Sequence, residues 1–578
     1  MPSSVRPPRS EYPRPQLVRP EWLCLNGPWD FQVDTGDNGQ ALGWPEKPKF
    51  GERIAVPFCP ESRLSGIGRR DFMPHLWYAR RFTLPRTWAG RRVLLHFGAV
   101  DYEASVWVNG KPVGFHRGGY TPFALEITDA IKSGANLLVV KVLDETPSGL
   151  QPSGKQSTAY HSSGCHYTRV SGIWQSVWLE PVGPSCIGSL RMIGDLEGGR
   201  VNVHAHIDRP QAGMTLLAEA RIGKQVVARA EVEAVSGLAA ACLNLEQVRP
   251  WDVRDPFLYD LELLLHDREG NVVDRAGSYF GLRNIRLEGP AILLNGRKVF
   301  QRLVLDQGYY PAGLYTAPRD EDLKRDIVLA QQLGFTGARL HQKLFEPRFL
   351  YWADRLGYLL WGEYASWGLD RTEGEALRRF MAEWTEAVQR DFNHPSIIGW
   401  CPFNEARNWA DAQMLRDVYR LTKALDPTRP VIDSSGWDHF ETDVYDSHSY
   451  EQDPGKFAAL FADFAQGGKP YSNCESTVPY AGQPYFVSEY GGIWWNPGQK
   501  RGEKAWGYGE RPRSLEEFID RYRKLTTELL KHPRMCAFCY TQLYDIEQEV
   551  NGLLTYDRRM KVDPKIIYQI NQQPAAIE

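Results

Sequence analysis

From about residue 13 to 183 the chain runs in short stretches of alternating apolar and polar residues, RVLLHFGAV, ASVWVNGKPVGFH, NLLVVKVLD and QSVWLEPV, parted by Gly, Pro and Asn. A period of two turns one face of each stretch inward and the other toward water, so the pattern predicts antiparallel strands of a β-sandwich. Asn109-Gly110, between two such runs, predicts a tight hairpin, because both residues tolerate the positive φ that the turn needs. From about 184 to 283 tryptophan thins out, and VNVHAHID, TLLAEARI, AEVEAV and YDLELLLHD follow one another. Strands roughly ten residues apart predict a small immunoglobulin-like sandwich, which carries no ionisable constellation and reads as a spacer.

After residue 284 the rhythm becomes strand then helix. VFQRLVLDQG, TGARLHQ, YLLWGEY, SIIGWCPFNE, PVIDSS, VYDSHSY, PYFVSEYGG and CAFCYTQLYD give eight candidate strands. Most are parted by helical stretches, such as GEALRRFMAEWTEAVQRDF with apolar residues at Leu377, Phe380, Met381, Trp384 and Val388. That spacing lays one helix face on a sheet, and eight strands with outer helices predict a (β/α)8 barrel over 284–578.

Two of the buried-strand runs end in a glutamate, Glu405 and Glu489. A carboxylate at the end of an apolar strand is costly to bury, and a parallel barrel gathers the C-terminal ends of its strands on one face. Two converging carboxylates suffice to cleave a glycosidic bond, and mutual repulsion is expected to keep one of them protonated near neutral pH. The other residues at those strand ends are Asp306, Arg339, His341, Glu363, His448, Tyr450, Tyr544 and Asp545.

Composition narrows the partners. A chain of 578 residues with 42% hydrophobic and 24% charged residues has the make-up of a soluble globular protein with several domains. A formal charge of −3 gives no footprint for nucleic acid or an anionic membrane. No apolar run is long enough to span a bilayer, and the first residues lack the apolar core of a signal peptide, so a cytoplasmic location is the default. Nine cysteines, an odd number with no CxxC pair, read as reduced thiols. His161, Cys165 and His166 cluster without zinc-type spacing, so neither a metal nor a cofactor is expected.

Asn393 to Glu405 (NHPSIIGWCPFNE) and Phe486 to Gly492 (FVSEYGG) resemble the two catalytic signatures of glycoside hydrolase family 2, the β-galactosidase and β-glucuronidase family. LNGPWDF, LWYARRF, VDYEASVWVNGKPVGFHRGGYTPF and SGIWQSVWLEPV look like its amino-terminal jelly-roll. The resemblance implies a jelly-roll at 13–183, the immunoglobulin-like sandwich at 184–283 and the catalytic barrel at 284–578. It further implies a retaining exo-glycosidase with Glu405 as acid/base, Glu489 as nucleophile, Asn404 on the substrate 2-hydroxyl, Tyr450 donating to the nucleophile and His341 on substrate hydroxyls. Arg339 is expected to order the carboxylates, Glu363 to support them, and Trp494 or Trp495 to wall the site. His448, Asp306 and Tyr544 complete the expected substrate-binding set. A homo-oligomer is compatible with all of this, as is a catalytically silent carbohydrate-binding protein that keeps the fold.

Three departures bear on the sugar. β-Glucuronidases read the sugar carboxylate with Asn-x-Lys, whereas Asn551 is followed by Gly552 and Leu553, which disfavours glucuronate. His166 stands where many members carry an acidic residue, which raises arabinofuranosides and galactofuranosides as substrates. WGEYASWG lacks the histidine of the large β-galactosidase magnesium site. β-Galactoside is the leading expectation, furanosides follow, and a uronide is third.

Overall fold

The computed structural model describes residues 6–407, 412–474, 478–499 and 504–578. Alternation becomes two faced sheets in the first unit. A six-stranded antiparallel sheet runs in the order Glu52–Val56, Gly27–Val33, His75–Thr83, Ala135–Leu143, Glu103–Val108, Lys111–Arg117. Opposite lies a four-stranded sheet of Leu23–Cys24, Val177–Val182, Arg92–Phe97 and Phe123–Glu126. Phe31, Ile54, Tyr78, Val106 and Val140 of the first interleave with Val93, Leu95, Phe97 and Leu179 of the second in one core. Asn109 and Gly110 turn the expected hairpin with φ of 52° and 81°.

The second unit packs Cys186–Asp195, Arg200–Asp208 and Leu238–Asn244 on a four-stranded sheet of Gln225–Glu233, Thr215–Ile222, Tyr259–His266 and Val272–Phe280. Its core is aliphatic, with Val201, Val203, Leu216, Leu261 and Leu263. Buried hydrogen bonds tie it to the barrel: Asp354 accepts from the hydroxyl of Tyr279 at 2.8 Å on its carboxylate and from Trp251 Nε1 at 2.7 Å on its backbone O.

Eight strands in the third unit are β1 (Gln301–Asp306), β2 (Gly337–Leu340), β3 (Leu359–Glu363), β4 (Ile397–Cys401), β5 (Ser434–Ser435), β6 (Tyr445–Ser449), β7 (Tyr485–Gly491) and β8 (Met535–Thr541). Seven form a curled parallel sheet in the order β4-β3-β2-β1-β8-β7-β6. β5 is the short one: it pairs in parallel with Phe403–Asn404 beyond β4, and the residues just before it bridge β4 itself, Trp400 N donating to Pro430 O at 3.0 Å and Ile432 N to Trp400 O at 2.9 Å. The strands are buried on both faces, β7 and β8 along their whole length, as a sheet covered by helices requires. Helices α1 (Asp320–Gln332), α2 (Pro347–Leu356), α3 (Gly374–Asp391), α4 (Ala412–Leu425), α5 (Pro454–Ala465), α6 (Leu515–Lys531) and α7 (Pro564–Asn571) cover them. On α3, Phe380, Trp384 and Val388 are fully buried, while Leu377 and Met381 pack half-buried against the same core. Among the described residues, no helix is long and apolar enough to cross a membrane.

The first sandwich docks on the C-terminal face of the barrel. The amides of Ser153 and Gly154 donate to Trp367 O at 3.0 and 3.1 Å. Gly154 has φ of 58°, and a Cβ there would stand 2.3 Å from Gln342 O. Gly154→Ala is therefore expected to lower the thermal midpoint by at least about 4 °C, measured by calorimetry against the parent chain; an unchanged midpoint would show that this loop does not bear on the barrel.

Candidate active site

The chain after β4 turns sharply so that Glu405 faces the barrel mouth. Its φ is 50°, a left-handed conformation that costs of order 1 kcal/mol in a residue with a Cβ. The backbone is held there by Glu405 N donating to Ser435 O at 2.9 Å. Glu489, on β7, comes to meet it: each carboxylate has an oxygen within 4.8 Å of the other and of a ring nitrogen of His448.

Arg339 on β2 joins this pair to its support. Its guanidinium is fully buried and donates to Glu363 Oε1 at 2.6 Å, Ser488 O at 2.8 Å, Asn404 Oδ1 at 3.0 Å and Glu489 Oε1 at 3.1 Å. His341 sets Nδ1 against Glu363 Oε2 at 3.2 Å. The other oxygen of Glu489 accepts from the Tyr450 hydroxyl, and Tyr450 is stacked on Tyr508. His448 bridges the carboxylates, with Nδ1 2.8 Å from Glu405 Oε1 and Nε2 3.5 Å from Glu489 Oε1. The side chain of Asn473 clamps His448 by its backbone N and O, both at 2.8 Å.

The charge pattern differs from the one expected of two repelling glutamates. Burial pushes Glu405 up, but the hydrogen bond and charge of His448 bring it down to about 2. Burial likewise pushes Glu489 up, and His448 and Arg339 among its neighbours override that and hold it below the ordinary carboxylate range. His448 is lowered by burial and raised by more than that by Glu489 and Glu405. The expectation of a raised carboxyl therefore gives way: the imidazole between them holds both glutamates below the ordinary carboxylate range, and their charges raise it in turn.

Glu405, Glu489, Asn404, Arg339, His341, Glu363, His448 and Tyr450 thus form one connected cluster. His166 lies across from it, its ring 5.4 Å from that of Trp367. Asp306 and Tyr544 are bonded to each other and to Gly308 N; the backbone O of Asp306 accepts from His341 N at 2.8 Å, and among the described residues no side-chain hydrogen bond or ion pair links the two to the cluster. Asp545 pairs with Lys561. Trp494 lies beneath Gly507, and Trp495 stacks on Phe518 of α6, so Trp495 packs away from the site. Among the described residues, the group close enough to share a metal ion is Glu405, His448 and Glu489; His161, Cys165 and His166 do not form such a group.

Several residues at the site carried no signal in their local sequence. Trp367 donates Nε1 to Asn404 O at 3.0 Å, and with His166, Glu405 and Trp437 it lines a cavity of about 380 Å³. A second cavity of about 480 Å³, lined by Trp437, His448, Tyr450 and Tyr471, meets the first at Glu405. Lys155, Tyr508 and Glu549 also border the site and come from loops whose composition gives no hint of it.

Models of three domains match this chain: the sugar binding domain of glycosyl hydrolases family 2 over residues 64–181, the family 2 central domain over 195–283 and its TIM barrel domain over 316–562. The chain belongs to glycoside hydrolase family 2. A β-glucuronidase of Paenibacillus borealis is 25% identical over 73% of this family 2 chain and 74% of its own length. A β-galactosidase of Thermoanaerobacterium thermosulfurigenes is 29% identical over 81% of this chain and 64% of its own, so part of that relative has no counterpart in the match. The β-glucuronidase of Ruminococcus gnavus solved with D-glucuronic acid shares the fold at a TM-score of 0.79 and 20% identity, covering 98% of this chain and 99% of its own.

The Glu405–His448 pair gives this family 2 site a pH signature. The raised His448 contributes stability that is complete below the ordinary imidazole pKa and lost as pH climbs through its raised value. The lowered Glu405 contributes stability that is complete above the ordinary carboxyl range and lost as pH falls through about 2. The difference in thermal midpoint between the parent and His448→Asn is therefore expected to be greatest between about pH 5 and 6.5 and to shrink toward pH 9. A difference that stays constant over that range would contradict the shared proton.

Proposed function

We propose that this family 2 chain is a retaining exo-glycosidase in which Glu489 is the nucleophile and Glu405 the acid/base. The observation that carries the reading is the approach of the two carboxylates, with oxygens within 4.8 Å. A retaining pair works at about 5 to 5.5 Å between carboxyl groups, whereas an inverting pair needs about 6.5 to 9.5 Å to admit water.

In this reading Arg339 and Tyr450 each hold one oxygen of Glu489, which fixes the carboxylate for attack on the anomeric carbon and keeps it ionised. Glu405 receives the proton from His448 across their 2.8 Å bond and passes it to the leaving oxygen. It then takes a proton from the water that releases the sugar from Glu489. Asn404, oriented by Arg339, meets the 2-hydroxyl. The sandwich loop around His166 is pinned to the barrel by Trp506 Nε1 on Gly164 O at 2.8 Å and Gln548 Nε2 on His166 O at 2.9 Å. A wall at that end of the site suits removal of a terminal residue.

On the sugar, the uronide moves from the third reading to the first. A β-uronide becomes the first reading, supported by the glucuronidase relative and the glucuronidase fold. A β-galactoside is the second, supported by the β-galactosidase relative at 29% identity. The furanoside reading rests on His166 alone.

Glu489→Gln is expected to bring hydrolysis of every glycoside to background. Glu405→Gln is expected to cost about 10²- to 10⁴-fold on substrates with poor leaving groups, yet to spare the first step with a dinitrophenyl glycoside, which needs no acid. Stopped-flow release of dinitrophenol distinguishes the two, and equal losses in that phase would overturn the role assignment.

A further inference from the structure

Among the charged groups at the site that this mechanism leaves unused, Arg371 and Arg407 line the cavity of Glu405, and Lys155 is the buried cation. Lys155 follows Gly154 in the sandwich loop PSGKQS, is 6% exposed, and sets its ammonium 4.0 Å from the centroid of the Trp367 ring. Among the described residues that ammonium makes no hydrogen bond and no ion pair.

The other buried cations nearby are all committed. Arg339 holds Glu363, Glu489 and Asn404. Lys343 donates to Gly308 O at 2.6 Å and Tyr315 O at 2.9 Å. Lys561 donates to Trp495 O at 2.6 Å and Asp545 at 2.5 Å, and Arg558 pairs with Asp326. Burying an ammonium with its donors unmet is expensive. An indole face attracts the charge but accepts none of its three hydrogen bonds in the ordinary way.

The placement is that of a group waiting for a ligand. Trp367, on which Lys155 stands, lines the cavity that contains Glu405 and His166. Burial pulls the ammonium's pKa down, and the charges of Cys165, Glu549, Glu489 and Glu405 around it override that and raise it. Glu549 does not compete as a partner, since its oxygens accept from the Tyr167 hydroxyl and from Asn551 Nδ2. Asn551 is itself fully buried, and its Oδ1 accepts from Gln542 Nε2 at 2.9 Å.

We propose that Lys155 reads a carboxylate on the sugar bound at the cleavage site, which makes the substrate a uronide and places its selector on the sandwich rather than on the barrel. The inference rests on Glu405 and Glu489 being the catalytic pair. A sugar hydroxyl would satisfy one donor; a carboxylate accepts charge-assisted hydrogen bonds from more than one.

The test compares the wild type, Lys155→Met and Lys155→Arg on p-nitrophenyl β-D-glucuronide, β-D-glucoside and β-D-galactoside, with calorimetric binding of D-glucuronate and D-glucose to the wild type alongside. The expected result is that the wild type prefers the glucuronide and binds glucuronate more tightly than glucose. Lys155→Met should lose about 100-fold in kcat/KM on the glucuronide and less than about fivefold on the neutral glycosides, and Lys155→Arg should recover part of the loss. Equal losses on charged and neutral substrates would overturn the inference. So would a wild type that prefers a neutral glycoside, while leaving the glycosidase reading intact. If Lys155→Met does not fold, the wild-type calorimetry decides: glucose binding as tightly as glucuronate overturns the inference. Selective glucuronate binding without hydrolysis of any glycoside would support Lys155 and sink the glycosidase reading instead.

Discussion

The buried guanidinium of Arg339 is the constraint on which the site depends. It brings a strand-end glutamate from β3, a nucleophile candidate from β7 and the asparagine beyond β4 to a single planar donor set. Removing one member of such a set strands a charge inside the barrel at a cost of about 3 to 5 kcal/mol. The network thus fixes where three strands end relative to one another, and Glu489 is poised as a by-product of satisfying the arginine.

A second cation does different work. His448 stands between the two glutamates, and its charge helps hold both below the ordinary carboxylate range, outweighing burial and, at Glu489, the repulsion from Glu405. Its Nδ1 lies 2.8 Å from Glu405 Oε1, within hydrogen-bond reach. The first sandwich then completes the enclosure: its loops lie against Trp367, Trp506 and Gln548, so the cavity is a product of two domains.

Much of this was legible in the sequence because it is local. Period-two alternation specified the sandwich strands, double-sided apolar runs specified the barrel strands, and Glu405 and Glu489 announced themselves by ending such runs. The shortness of β5, two residues long, was not legible in the run PVIDSS. The ionisation pattern was misjudged because repulsion between two glutamates is readable from their motifs, while an imidazole between them is a three-dimensional fact. Asp306 and Tyr544 sit at the expected strand ends yet satisfy each other. Lys155, Trp367 and Glu549 meet only because two domains dock, and no window of sequence contains that contact.

The central claim is that Glu405 and Glu489 are spaced for double displacement. The stereochemical course of hydrolysis tests it most directly, by following the anomeric proton of the released sugar by NMR before mutarotation. The spacing predicts that the first product formed from a β-glycoside is the β-anomer. Initial release of the α-anomer would mean direct displacement by water and would contradict the assignment of Glu489 as nucleophile.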